Sequence, residues 1–142
     1  MRRVKEILAD KGNDIWSIGP DETVYDAIHL LAEKMIGALL VLEGDALIGV
    51  ISERDYARNI ILKNKSSRDA RVKDIMTTDV ITVGPDEGVS ECMKLMTNKR
   101  IRHIPVLRDG KLIGVLSIGD LVRAVIAEQQ STITDLEKYI SG

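Results

Sequence analysis

Two short stretches carry the residue types best placed to do chemistry. Gly49-Val50-Ile51-Ser52-Glu53-Arg54-Asp55 and Gly114-Val115-Leu116-Ser117-Ile118-Gly119-Asp120 each close an apolar run with a Ser and, three residues on, an Asp. A carboxylate just inside a helix N-terminus is held in one orientation and can accept two hydrogen bonds, the number that a vicinal ribose diol donates. The Ser hydroxyl and the free N–H groups of the same helix start suit phosphate or ribose oxygens. The Gly ahead of the Ser lets a ligand approach the backbone closely. Ser-x-x-Asp is also a common helix cap, so ligand contact and capping both stand as readings of each stretch.

A second set of polar residues differs between the two halves. Lys99-Arg100-Ile101-Arg102-His103 aligns with Lys34-Met35-Ile36-Gly37-Ala38, so a basic cluster precedes only one of the two paired apolar runs. Arg102 can fork two phosphate oxygens, and His103 can add a pH-dependent contact. Arg54, in the variable part of the first motif, is a further phosphate candidate, with solvent exposure as its alternative. Lys99 and Arg100 also suit the negative pole of a helix end.

The remaining reactive residues carry no catalytic pattern. His29 lies beside the apolar stripe of a helix, and Cys92 falls on the buried face of another, where a core thiol is expected. No Cys/His spacing forms a zinc site, and Gly110-Lys111 lacks the spacing of a phosphate-binding loop. The expectation is a chain with no catalytic residues, no metal and no catalytic cofactor.

The elements that must position these residues recur. Gly19-Pro20-Asp21-Glu22 reappears as Gly84-Pro85-Asp86-Glu87, and the same offset of 65 carries Leu47-Ile48-Gly49-Val50 onto Leu112-Ile113-Gly114-Val115, Ser52 onto Ser117, Asp55 onto Asp120 and Arg58 onto Arg123. Upstream, Val4-Lys5-Glu6-Ile7-Leu8 resembles Val72-Lys73-Asp74-Ile75-Met76 at an offset of 68, which puts a three-residue length change within residues 9–14. After Gly-Pro, Val24, Ala27, Ile28, Leu31 and Met35 form a helical stripe, matched by Val89, Cys92, Met93 and Met96. Asp21 and Asp86 are the expected N-caps. Two apolar strands follow in each copy, residues 38–42 and 46–51, then 103–107 and 112–116, with Gly-containing turns between them. A second helix is expected over 55–63 and 120–129. Each half therefore reads strand, helix, strand, strand, helix. The resulting organisation is repeat 1 over residues 1–65, a polar linker over 66–71, repeat 2 over 72–130 and a polar tail with a possible helix over 131–142. Both strands of each hairpin are apolar almost throughout, as in sheets covered on both faces.

Composition narrows the function classes. The chain has 142 residues, 44% hydrophobic and 30% charged, which suits a folded core rather than disorder. A formal net charge of −2 argues against a broad electrostatic grip on nucleic acid, and aromatics at 3% remove the stacking platforms of single-strand binders. No apolar run approaches the length of a membrane span. The N-terminal residues carry no signal-like apolar segment and Cys92 stands alone, so a cytoplasmic protein is expected.

The paired Gly–hydrophobic–hydrophobic–Ser–x–x–Asp stretches resemble the signature of CBS domains, named after cystathionine β-synthase, which occur in tandem as a Bateman module. The likeness runs over residues 4–127 and includes Asp74-Ile75-Met76-Thr77 and Arg102-His103-Ile104-Pro105-Val106. Repeat 1 departs from both patterns, with Glu6-Ile7-Leu8-Ala9 and Gly37-Ala38-Leu39-Leu40-Val41. The resemblance implies an α/β fold of two pseudo-symmetric β-α-β-β-α repeats packed sheet to sheet. It also implies a non-catalytic regulatory, energy-sensing module that binds an adenine nucleotide (AMP, ADP, ATP or NAD), forms a homodimer and acts on an unidentified partner protein. By the same resemblance, one ligand cleft would combine Ser52, Asp55 and Arg54 with Val80, Ile81, Ile101, Arg102 and His103. The other would combine Ser117 and Asp120 with Ile15, Trp16, Ile36, Gly37 and Ala38. Ser and Asp would meet ribose and phosphate, Arg102, His103 and Arg54 phosphate, and the apolar residues adenine. The alternative reading is a structural dimerisation or protein-interaction module with no nucleotide ligand.

Overall fold

Residues 2–141 are described by the computed structural model. In chain order the elements are α1 (Val4–Lys11), β1 (Ser17–Ile18), α2 (Val24–Lys34), β2 (Ala38–Glu43), β3 (Ala46–Ser52) and α3 (Glu53–Tyr56), which runs into a π-helical turn, Ala57–Ile61. There follow α4 (Val72–Ile75), α5 (Val89–Lys99), β4 (His103–Arg108), β5 (Lys111–Ser117) and α6 (Ile118–Ser141). They form two compact units, Ile15–Val80 and Met1–Asp14 with Ile81–Gly142. Each unit thus holds the strands and helices of one repeat, but the leading helix of the other.

Backbone bonds explain this exchange. In the Ile15–Val80 unit, α4 docks on the Gly-Pro-Asp-Glu turn through Val72 N–H to Glu22 O (2.9 Å) and Lys73 N–H to Pro20 O (3.0 Å), with Lys73 Nζ 2.9 Å from Asp21 Oδ1. In the other unit, α1 makes the corresponding bonds, Val4 N–H to Glu87 O and Lys5 N–H to Pro85 O, both 2.9 Å, and Lys5 Nζ lies 3.2 Å from Asp86 Oδ1. Asp21 and Asp86 are therefore partners of the docked helix rather than the expected N-caps. The cap of α2 is Thr23, whose hydroxyl accepts from Asp26 N–H, and α5 begins at Gly88 without a side-chain cap.

In the Ile15–Val80 unit, β2 pairs antiparallel with β3 (Ala38 opposite Ser52) and parallel with β1 (Ile18 opposite Val41). Its core contains Val24, Ala27, Leu31, Leu39, Val41, Ile51, Ile60, Val72 and Ile75. The second unit pairs β4 with β5 (His103 opposite Ser117) over a core that includes Val4, Ile7, Leu8, Cys92, Ile104, Val106, Leu116 and Leu121. The opening strand expected in this repeat is reduced to a single bridge, Val83 to Val106. Pro105 supplies the reason. It stands where the first repeat has Leu40, whose N–H bonds to Trp16 O at 3.2 Å, and proline has no N–H to donate. The closing helices also differ from expectation. The first is short and passes into the π-helical turn, whereas α6 continues through most of the expected tail to Ser141; Gly142 lies outside the described residues.

Candidate functional site

At the end of β3, Ser52 leaves the sheet in extended conformation and α3 starts at Glu53. Ser52 N–H donates to Asp55 Oδ2 at 2.9 Å, Ser52 Oγ lies 3.0 Å from the same oxygen, and Asp55 N–H donates to Ser52 Oγ at 3.2 Å. The motif is thus a reciprocal cap, and it fixes the Asp55 carboxylate. Thr77 Oγ1 reaches Asp55 Oδ1 at 3.4 Å. Thr77 is brought there because α4 ends at Ile75 and the extended chain then pairs with β3, through Val50 N–H to Thr77 O (3.0 Å) and Thr77 N–H to Val50 O (2.8 Å). That pairing needs Gly49, where a Cβ would lie 2.7 Å from Met76 Sδ and 3.0 Å from Thr77 O. Ala38 faces Ser52 across the ladder, and Gly37 O accepts Glu53 N–H at 3.1 Å.

The second motif repeats the cap but not its surroundings. Ser117 N–H donates to Asp120 Oδ2 at 2.8 Å, and Asp120 N–H to Ser117 Oγ at 3.2 Å. Here α1 continues a full turn past Leu8, and Lys11 turns its ammonium onto Val115 O (2.8 Å) and Asp120 Oδ2 (2.7 Å). Val115 is the counterpart of Val50, so a side-chain ammonium takes the place of Thr77's backbone N–H. Arg123 Nη2 donates to Asp120 Oδ1 at 2.7 Å. Asp120 is the buried charged residue of the described chain, at 6% exposure. Burial pushes its carboxyl up, but Lys11 and the Ser117 bonds outweigh this and hold it below the usual carboxylate value. His103 sits opposite Ser117; burial, with Lys11 and Arg102 nearby, lowers its imidazole below the ordinary value despite the opposing field of Asp120. Arg102 O accepts Ile118 N–H at 2.9 Å, so Arg102 is tied to this helix start through its backbone.

Ser52, Asp55, Gly37 and Ala38 therefore lie together in one unit, and Ser117, Asp120, Arg102 and His103 in the other. Of the remaining candidates, Ile15, Trp16, Ile36, Arg54 and Val80 belong to the first unit and Ile81 and Ile101 to the second. Trp16 is 41% exposed, with Lys34 Nζ 4.3 Å from its ring centroid. Lys11 and Thr77 are site residues that sequence reasoning missed. The signal for Lys11 is the three-residue length change within residues 9–14, part of which α1 takes up as helix. Cys92 is fully buried, and burial followed by Glu87 and Glu91 pushes its thiol up to about 11, so it stays protonated at neutral pH. Among the described residues no His/Cys/Asp/Glu group can hold a metal ion, and no helix is long and apolar enough to cross a membrane.

The sequence pattern of the CBS domain matches residues 4–62 and 72–127. The chain is 43% identical to the mitochondrial CBS domain-containing protein CBSX3 of Arabidopsis thaliana, over 98% of this chain and 72% of that protein. A solved protein with CBS domains from Burkholderia ambifaria MC40-6 superposes with a TM-score of 0.87 at 52% identity, covering 90% of this chain and 96% of that one. The CBS domain pair of protein MJ0100, solved with 5′-methylthioadenosine and S-adenosyl-L-methionine, superposes with a TM-score of 0.79 at 25% identity, covering 90% and 98%.

Proposed function

We propose that this chain, which belongs to the CBS-domain family and carries two CBS repeats as an α/β Bateman module, is a non-catalytic sensor of adenine nucleotides that acts on a partner protein. The observation that carries the reading is the Asp55 carboxylate. It is held by the N–H of Ser52 and otherwise met by the hydroxyls of Ser52 and Thr77. Hydroxyl donors rotate freely, so the 2′- and 3′-hydroxyls of a ribose can take their place at little cost. The adenosine compounds bound by the MJ0100 domain pair support this ligand class, and AMP, ADP, ATP and NAD all present the same diol. Ser52 and the α3 start would face ribose or phosphate oxygens, with Arg54 as a further phosphate contact. Ligand occupancy becomes a signal only if one conformation of the module binds it better than another.

Calorimetry with AMP, ATP, NAD and S-adenosylmethionine tests this. At least one should bind below millimolar and raise Tm. Asp55→Ala removes charge-assisted hydrogen bonds worth about 1.5–3 kcal/mol and should weaken binding roughly 10–100-fold. Absence of binding by all four compounds would overturn the sensor reading.

The second reading, a dimerisation module without nucleotide, draws on α6. Val122, Ile126, Ile133, Leu136 and Ile140 are 41%, 58%, 47%, 56% and 82% exposed at helical spacings that align them along one side. A homodimer formed through this side is compatible with both readings. Nucleotide titration separates them, whereas oligomeric state alone does not.

A further inference from the structure

We propose that Lys11 sets the specificity of the Ser117–Asp120 site by occupying the carboxylate that would otherwise accept a ribose diol, so that the two Ser-x-x-Asp sites of this chain do not take the same ligand. The inference rests on the diol-binding reading of Asp55.

An ionised carboxylate offers about four lone-pair positions to donors. On Asp120, Oδ2 already accepts Ser117 N–H and Lys11 Nζ, and Oδ1 accepts Arg123 Nη2. A diol needs one position on each oxygen, and Oδ2 has none left. Arg123 is 72% exposed and free to swing into water, but the Lys11 side chain is 34% exposed and its ammonium is anchored at both Asp120 Oδ2 and Val115 O. Displacing it would leave the buried Asp120 without the less exposed of its two cations, trading a charged hydrogen bond for a neutral one. Such an exchange costs about 10–100-fold in affinity. Asp55 is met by neutral hydroxyls instead. Its Oδ2 meets a serine hydroxyl and its Oδ1 a threonine hydroxyl at 3.4 Å, both replaceable like for like by a ribose hydroxyl.

The cause is local and traceable to chain length. The chain turns extended after Ile75, so that Met76 and Thr77 run alongside β3; after Leu8 it stays helical for another turn and presents Lys11. The two loops meet equivalent residues, Val50 and Val115, with a backbone amide in one case and an ammonium in the other.

The test counts AMP sites per chain by calorimetry in the wild type, Lys11→Met, Lys11→Gln, and each of these combined with Asp55→Ala, after thermal melts establish that each variant is folded. One site is expected in the wild type, weakened roughly 10–100-fold in Asp55→Ala. Both Lys11 variants should gain a second site, bound at least about tenfold more tightly than in the wild type. That gain should survive Asp55→Ala and disappear with Asp120→Ala. A count of one in both folded Lys11 variants, or a count of two in the wild type, would overturn the inference and leave the proposed function standing. No AMP binding by the wild type or any variant would overturn the inference, and the proposed function falls with it only if ATP, NAD and S-adenosylmethionine also fail to bind.

Discussion

Asp55 and Asp120 hold the same place in two copies of one motif, each locked to its Ser by the same reciprocal bonds, and yet one faces hydroxyls while the other is clasped by Lys11 and Arg123. The difference originates in the helix that docks beside each hairpin, not in the motif itself. Duplication preserved the cap and the glycine that admits the docked helix. It did not preserve how far that helix runs. With α1 four residues longer than α4, a buried ion-pair cluster stands where the other site is lined by rotatable hydroxyls.

The largest expected effect tests that contrast directly. Asp120→Asn should destabilise the fold by about 2–3 kcal/mol, less than the 3–5 typical of breaking a buried pair because Lys11 and Arg123 reach solvent. Asp55→Asn, which weakens only a cap, should cost about 1 kcal/mol or less. Urea unfolding of the two variants measures both, and equal losses would break the comparison. The Asp120 variant should also show a shallower loss of stability in acid. The folded-state pKa of Asp120 lies below its ordinary 3.8, so its contribution is present above that value and disappears as pH falls below it.

A smaller effect sharpens the comparison at the glycines. A Cβ at Gly49 would press on the backbone carbonyl of Thr77 as well as Met76, whereas the nearest atoms to one at Gly114 belong to the side chain of Leu8, 2.7 Å away at Cδ2. Gly49→Ala should cost about 1–3 kcal/mol and Gly114→Ala distinctly less, since a leucine can shift and a hydrogen-bonded carbonyl cannot. Reversal of that order in thermal or urea unfolding would mean that α1 is held more rigidly than the Thr77 pairing.

The smallest effect concerns His103, whose counterpart is Ala38. Its folded-state value lies below the ordinary 6.5, so on acidification the unfolded chain takes up the proton first and stability falls. The fall begins near that ordinary value and ends once pH has passed the folded one. His103→Ala should flatten the Tm profile as pH falls below the ordinary 6.5. An unchanged profile would show that the burial of His103 has no electrostatic consequence.

Much of this was open to reading from residues alone. The repeat, the hairpins and the Ser-x-x-Asp positions follow from spacing, because strands and helix starts are set by neighbours in the chain. Thr23 displaced Asp21 as cap, and Asp21 instead meets Lys73, because the partner of an exposed carboxylate depends on which helix docks beside it. The reduced first strand of the second repeat was also latent in Pro105. It became visible only once the register placed that proline where Leu40 donates its N–H.

What the sequence determined by itself is therefore local: two copies of a strand–turn–helix motif, each able to cap itself with its own Ser and Asp. What only the tertiary structure decided is which distant side chain meets each carboxylate. Lys11 and Asp120 are 109 residues apart, and their 2.7 Å contact depends on α1 docking on the repeat it does not precede. No periodicity encodes such a pairing, because it arises from backbone bonds between segments far apart in the chain. An ammonium and a carboxylate acquire a strong mutual preference only when burial brings them out of water together.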